Sequence, residues 1–333
     1  MGRTLSLGLC FGIALLAGCS GPQQGVTPAG LVTSAAASRV RWPATSLLAR
    51  PDARHSWMNA EAKRRDLLYV ADDLTNDVYV FSYPQGKLVG TLTGFAAPGG
   101  LCTDSHGDVF IPNAFYSNIV EYSHGGTMPI ATLNDAPASY PDSCAVNQRN
   151  GDLAVGNGAS GDGQGRGGIA IYHGAAGEPS FRHAMYHPYS CGYDPNGNLF
   201  VDGEKAGYVD FQFGELAAGG MRYREIALNQ PISLAGGVAW DGRAVAVGDV
   251  YRAAIYQFSV AGARGKRVGS TPLTGTAAAW QFEVDGGRVV VPNYDSGASE
   301  ILSYDYPAGG AAIKAFGAGI VVDPVGATIS RAH

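Results

Sequence analysis

Charge is scarce in this chain and leans acidic: only 15% of its residues are Asp, Glu, Lys or Arg, and the formal net charge is -5. A nucleic-acid partner is therefore not expected, because holding phosphates takes a basic face. Long apolar runs are lacking too. The stretch Leu5 to Leu16 is too short to cross a bilayer comfortably. No G-x-S-x-G, Walker loop, EF-hand loop or C-x-x-C occurs, so no nucleophile elbow, phosphate cradle, calcium loop or redox pair can be read off directly. Two apparent motifs fail on context. Gly156-Asn157-Gly158-Ala159-Ser160-Gly161 has dinucleotide spacing, but Gly-rich sequence and a strand follow it where a helix is needed. His183 and His187 have zincin spacing, but Met185 and Tyr186 leave no glutamate between them, and the context is strand or loop.

What the chain has in abundance is turn and strand formers. The 48 Gly and 17 Tyr suit an all-β protein rich in turns. Between those turns a unit repeats. Its clearest copy is PGGLCTDSHGDVFIPNAFYSNIVEY, Pro98 to Tyr122, which reads as three short strands separated by turn residues. The second strand returns as LLYVAD, DVFIPN, DLAVGN, NLFVDG, AVAVGD and VVVPN. Aligned on Val70, Ile111, Val155, Val201, Val247 and Val291, the steps are 41, 44, 46, 46 and 44 residues. That is the period of a propeller blade of four strands. The third strand keeps the register through an aromatic three residues after a β-branched residue, as in Val78 with Phe81 and Ile119 with Tyr122. The fourth copy departs, with Val209 followed by Phe211 and Phe213, which predicts a bulged or shifted strand.

Outer strands fit Lys87 to Thr93, Met128 to Leu133, Arg222 to Leu228 and Arg267 to Leu273, and small residues mark the inner strands, as in Gly99 to Asp104 and Gly236 to Asp241. The expected fold is therefore a six-bladed β-propeller of four-stranded blades over residues 56–333. Closing the ring needs a sixth inner strand. Gly326 to Arg331 is preferred over Ser56 to Ala60, because a last strand that completes the first blade removes an open sheet edge.

The N-terminus reads as an address. Arg3 gives a positive start, and Leu16-Ala17-Gly18-Cys19 resembles the lipobox of bacterial lipoproteins. The resemblance implies cleavage of residues 1–18, lipidation of Cys19 and stable membrane anchoring, with Ser20 pointing to the outer membrane of a bacterial envelope. Residues 19–55, rich in Gly, Pro, Ser and Ala, are expected to be a tether reaching on the order of 30 Å.

The blade residues GGLCTDSHGDVFIPNAFYSNIVEY and DLLYVADDLTNDVYVF resemble NHL-repeat propellers over about Leu67 to Ser330. The architecture is more distantly similar to gluconolactonase and regucalcin propellers, which hold a divalent metal at the channel mouth. That family's N-terminal Glu-Gly-Pro-x-Trp stretch is absent here, so none of its metal ligands carries over.

Candidate site residues follow from the register. Asp72, Asn113, Asn157, Asp249 and Asn293 end second strands, and the fourth copy has Asp202 and Glu204 around Gly203. Such a ring of oxygens suits Ca²⁺ or another divalent cation, or else simply starts turns. Asp142, Trp280 and Gln281 begin inner strands and suit a glycan or peptide, with Trp280 equally able to pack in the core. Cys102, Cys144 and Cys191 fall on successive inner strands, where they either pack as small residues or form a disulfide, the pair to expect being Cys144 with Cys191.

The expected role is a membrane-anchored, extracytoplasmic and monomeric binding module for a peptide, glycan or envelope protein, and no catalytic residue is assigned. The alternative is a metal-dependent lactonase-type hydrolase using the Asp/Asn ring.

Overall fold

The computed structural model describes residues 55–333 apart from 136–138, 159–166, 184, 206–209, 277–278 and 295–297. Every described residue belongs to one compact unit. Cys19, the leader and nearly all of the tether lie outside the described residues.

Six sheets, antiparallel but for two short parallel pairings at the outer strand of blade five, form the blades of a β-propeller. Blade two shows the plan, running from the inner strand Cys102–Thr103 through Val109–Asn113 and Asn118–Tyr122 to the outer strand Pro129–Asn134. The second strands are buried on both faces: all six residues of Leu67–Asp72 and all five of Val245–Asp249 are buried. Each blade is sandwiched between two others, so its central strands read as nearly continuous apolar runs, as strands covered on both sides do. Six apolar clusters fill the six seams. Their members come from adjacent blades, as with Val155 and Tyr172 of blade three beside Phe110 and Ile119 of blade two.

The ring closes as the sequence predicts. Pro324–Ser330 pairs antiparallel with Leu67–Asp72, setting Val70 opposite Ala327, and so supplies the inner strand of blade one. Arg331 fastens this seam from below: its Nη1 donates to Asp66 Oδ2 at 2.5 Å, and its Nη2 donates to Asp285 of blade six. The rival closing segment goes elsewhere, with Trp57–Met58 adding a strand outside Leu88–Leu92 at the rim of blade one.

Two expectations are corrected. The third strand of blade four is Phe211–Leu216, paired with Leu199–Glu204 without a shift in register. Phe213 takes the place of Val78 or Ile119, and Leu216 takes that of Phe81 or Tyr122; Val209 lies outside the described residues. The spacing is kept with other residue types, so nothing is bulged. The second correction concerns the cysteines. Cys102 and Cys144 form the disulfide, with Cα atoms 5.6 Å apart, and Cys191 is free and buried. Inner strands pinch together at the channel, which is what makes the bridge possible. A Cβ on Gly99 would stand 2.4 Å from the Asp142 carbonyl oxygen, and one on Gly236 would stand 2.3 Å from that of Ala279. Only glycine tolerates backbones this close.

Candidate binding face

The blades are antiparallel meanders, so the loops joining second to third strands share one end of the ring with the segments that lead into the inner strands. The candidate residues all gather at this end. Four of the ring residues do the same job there. Asp72 Oδ2 accepts from the backbone N–H of Val322 at 2.5 Å and of Asp323 at 3.1 Å, while its Oδ1 accepts from Thr75 at 3.0 Å. Asn113 Oδ1 accepts from Ala96 N–H at 2.7 Å, Asp249 Oδ2 from Ser233 N–H at 2.9 Å, and Asn293 Oδ1 from the Thr276 hydroxyl at 3.0 Å. Each thus clamps the lead-in segment of its own blade. In blades one, three, four and five the ladder between inner and second strands also shifts near this level. A bulge leaves backbone groups unpaired, and the Asp or Asn side chain supplies partners for the chain beyond it.

Blades three and four break the pattern. Asn157 holds the ring position of blade three, yet neither its Oδ1 nor its Nδ2 has a partner among the described residues, although the residue is 1% exposed. In blade four the ring position is occupied by Gly203, because Val201 aligns with Val70 and Val247. Asp202 is one residue earlier and so faces the other side of its sheet. It is fully buried, and burial holds its carboxyl well above the ordinary carboxylate range despite the nearby N–H groups of Gly236 and Ser190. Glu204, on the same face two residues on, accepts from the Tyr189 hydroxyl at 3.3 Å and is also shifted upward by burial. His187 stands opposite Glu204 in the ladder, its imidazole pushed down to about 4 by burial. Burial raises the Asp142 carboxyl to about 7. At neutral pH the His187 imidazole is therefore neutral, and Asp142, Asp202 and Glu204 hold their protons more tightly than free carboxyls do, so this quarter of the face offers groups suited to hydrogen bonding a ligand.

Around these polar groups the same end carries aromatic rings. Tyr116 and Tyr251 sit on loops after second strands and are 40% and 49% exposed. Tyr140, Tyr186, Trp280 and Tyr294 are half-buried on lead-in segments or the loop of blade six. Beside Trp280, Gln281 Nε2 donates to the Leu101 carbonyl at 2.6 Å, passing from blade six to the inner strand of blade two. Of the aromatics, sequence reasoning found only Trp280. The tyrosines belong to no motif, and only their position past the strand ends places them together.

At blade one the sequence missed a carboxyl pair. Asp73 and Asp323 share a hydrogen bond, and Asp73 N–H donates to the Asp323 carbonyl at 3.2 Å. Burial first, and then the facing carboxylates of Asp323 and Asp72, raise the Asp73 carboxyl above its ordinary range; Asp323 moves the same way. The folded state therefore holds this proton more tightly than the unfolded chain does. The pair favours folding at acid pH, and that contribution is lost as pH rises from the ordinary carboxylate range through the raised folded value. Asp73→Asn is expected to flatten the decline of the unfolding midpoint between mildly acid and mildly alkaline pH. Parallel curves for the two proteins would sink this reading.

Among the described residues, no group of three or more His, Cys, Asp or Glu is arranged to hold a metal ion. Also among them, no helix is long and apolar enough to cross a membrane.

No family model matches the chain, and no curated protein matches it. Solved structures do. The chain is similar to one in a crystal structure of a nidogen/laminin complex, at 13% identity and a TM-score of 0.65, covering 80% of this chain and 99% of that one. It is also similar to a protein of unknown function from Bacteroides caccae, at 11% identity and a TM-score of 0.58, with the same coverage. At these identities the likeness shows the fold alone: a six-bladed β-propeller, a scaffold used by binders and enzymes alike.

Proposed function

We propose that the chain is an NHL-repeat-like binding propeller, anchored through lipidated Cys19 to a bacterial envelope membrane and holding a peptide, glycan or protein on its aromatic channel face. One observation carries the binding reading: the Asp and Asn side chains expected to ring a metal are spent on lead-in segments in four blades, while partly exposed aromatics surround the mouth. Aromatic faces beside hydrogen-bonding groups suit sugar rings and peptide side chains. The Cys102–Cys144 disulfide supports an extracytoplasmic location, since such bonds persist where the surroundings are oxidising. The tether of residues 19–55 then lets the face stand off the bilayer.

Glycan and peptide arrays probed with the full-length protein test the role. Binding that falls at least tenfold in the Tyr251→Ala/Trp280→Ala double variant is expected. No binding on either array, together with lactone hydrolysis that requires Ca²⁺, Zn²⁺ or Mn²⁺, would replace this reading with the hydrolase. Anchoring is read separately: Cys19→Ser is expected to abolish acyl labelling and release the protein from membranes, and unchanged membrane recovery would remove the anchor from the proposal.

A further inference from the structure

The opposite end of the ring carries the turns between first and second strands and between third and fourth strands. Between blades three and four a groove of about 420 Å³ opens there. Its floor is apolar, formed by Ile171, Leu199 and Leu216, with Tyr193 at one side. These residues belong to the seam packing of the two blades, where Leu199 and Leu216 are buried and Ile171 and Tyr193 only partly so. The seam therefore stays open at this end.

The rim is polar, and its hydrogen-bonding groups are unequally used. The side-chain acceptors of Asp152, Asn147 and Asn150 are engaged. Asp152 Oδ1 accepts from Gly174 N–H at 2.9 Å, and its Oδ2 accepts from Asn150 Nδ2 at 2.9 Å and faces His173 Nδ1 at 3.4 Å. Asn147 Oδ1 accepts from Arg149 N–H at 3.1 Å, and Asn150 Oδ1 from Asp152 N–H at 3.1 Å. Donors remain. Arg182 Nε is buried without a partner among the described residues, its Nη1 being directed to the Phe181 carbonyl at 3.0 Å. The Arg149 guanidinium has one long bond, from Nη1 to the Asn196 carbonyl at 3.4 Å. A buried guanidinium N–H without an acceptor is costly, and a carboxylate is the acceptor whose geometry matches the guanidinium fork.

We propose that this groove is a second ligand site, separate from the channel face, that takes a small amphipathic carboxylate: an apolar body on Ile171, Leu199 and Leu216, and the charged group on Arg182 and Arg149. The apolar floor alone would accept any greasy molecule of the right size. The unpaired donors at its rim restrict it to those carrying an anion.

The full-length protein is titrated with 3-phenylpropanoate while thermal unfolding is followed, with 3-phenylpropan-1-ol and sodium sulfate as comparators. A ligand that binds only the folded state raises Tm with concentration. The acid is expected to raise Tm saturably, the alcohol and sulfate to leave it unchanged at the same concentration, and Arg182→Met to weaken the apparent affinity at least tenfold. Tyr251→Ala, at the other end of the ring, is expected to bind the acid as the wild type does. The proposal is overturned by no response to the acid, by an equal response to the alcohol or to sulfate, or by wild-type affinity in Arg182→Met. Should Arg182→Met fail to fold, Ile171→Trp fills the floor from another element, and undiminished acid binding in that variant overturns the site equally.

Discussion

Removing residues 324–333 is expected to abolish cooperative folding of the propeller, although it takes away one strand of one blade. Pro324–Ser330 is the inner strand of blade one, so its loss leaves Leu67–Asp72 with an unpaired edge facing the channel. Ala327, Thr328, Ile329 and Ser330 are buried at 5% exposure or less, and Ala327 and Ile329 pack with Val70, Phe81, Val290 and Ile301 in the seam between blades one and six. The clasp from Arg331 to Asp66 and Asp285 goes with them. So do the backbone N–H groups of the adjoining segment as fixed partners for Asp72, a fully buried carboxylate. Losing those two hydrogen bonds costs about 1–3 kcal/mol each, beside the apolar burial lost with the strand. Against a typical total of about 5–15 kcal/mol the ring does not survive the sum. Chemical denaturation followed by near-UV circular dichroism checks this: a single steep transition in the intact chain and none in the truncated one. A truncated protein that unfolded with the intact midpoint would show that the C-terminal strand is not what closes the ring.

Most of this architecture was legible because a blade is a local object. Its four strands follow one another in sequence, so a period near 44 residues and the strand pattern suffice to place them. Ring closure was legible for a different reason: only a distant segment with inner-strand character could hide the edge of Leu67–Asp72. What could not be read was geometry across the ring. The Asp/Asn series marks the channel end of every second strand except that of blade four, but the series is silent on where each side chain points. In the structure the points differ. Asp72, Asn113, Asp249 and Asn293 turn to their own lead-in segments, whereas Asp202 lies one position off the series and faces blade five. A one-residue offset in a strand reverses the face, so a motif alignment that tolerates such a slip loses the information that matters at a site. The tyrosines of the channel face illustrate the converse. Tyr116, Tyr140, Tyr186 and Tyr251 share no spacing in sequence, and only folding brings them to one end.

The disulfide shows the same limit in a single pair of residues, and it yields the second large effect. All three cysteines lie on inner strands in related register, so sequence could not choose between neighbours; the choice depends on how tightly two particular strands pinch. Replacing Cys102 and Cys144 together by alanine is expected to destabilise the protein by up to about 4 kcal/mol, the chain-entropy value for releasing a loop of this length, the sequence separation being 42. Cys191→Ala removes one buried sulfur from the seam between blades three and four and is expected to cost about 1 kcal/mol. Reduction separates cross-link from packing, because it leaves every sulfur in place. A reductant is expected to lower the unfolding midpoint of the wild type and of Cys191→Ala by similar amounts, and to leave the Cys102→Ala/Cys144→Ala protein unmoved. The opposite result, with Cys191→Ala insensitive to reductant, would mean that Cys144 bonds Cys191. The pinch would then lie between blades three and four, at the seam where the open groove of Arg182 is found, and the inner strands of blades two and three would be held without a cross-link, by the close approach of Gly99 to Asp142 and the bond from Gly100 N–H to the Asp142 carbonyl.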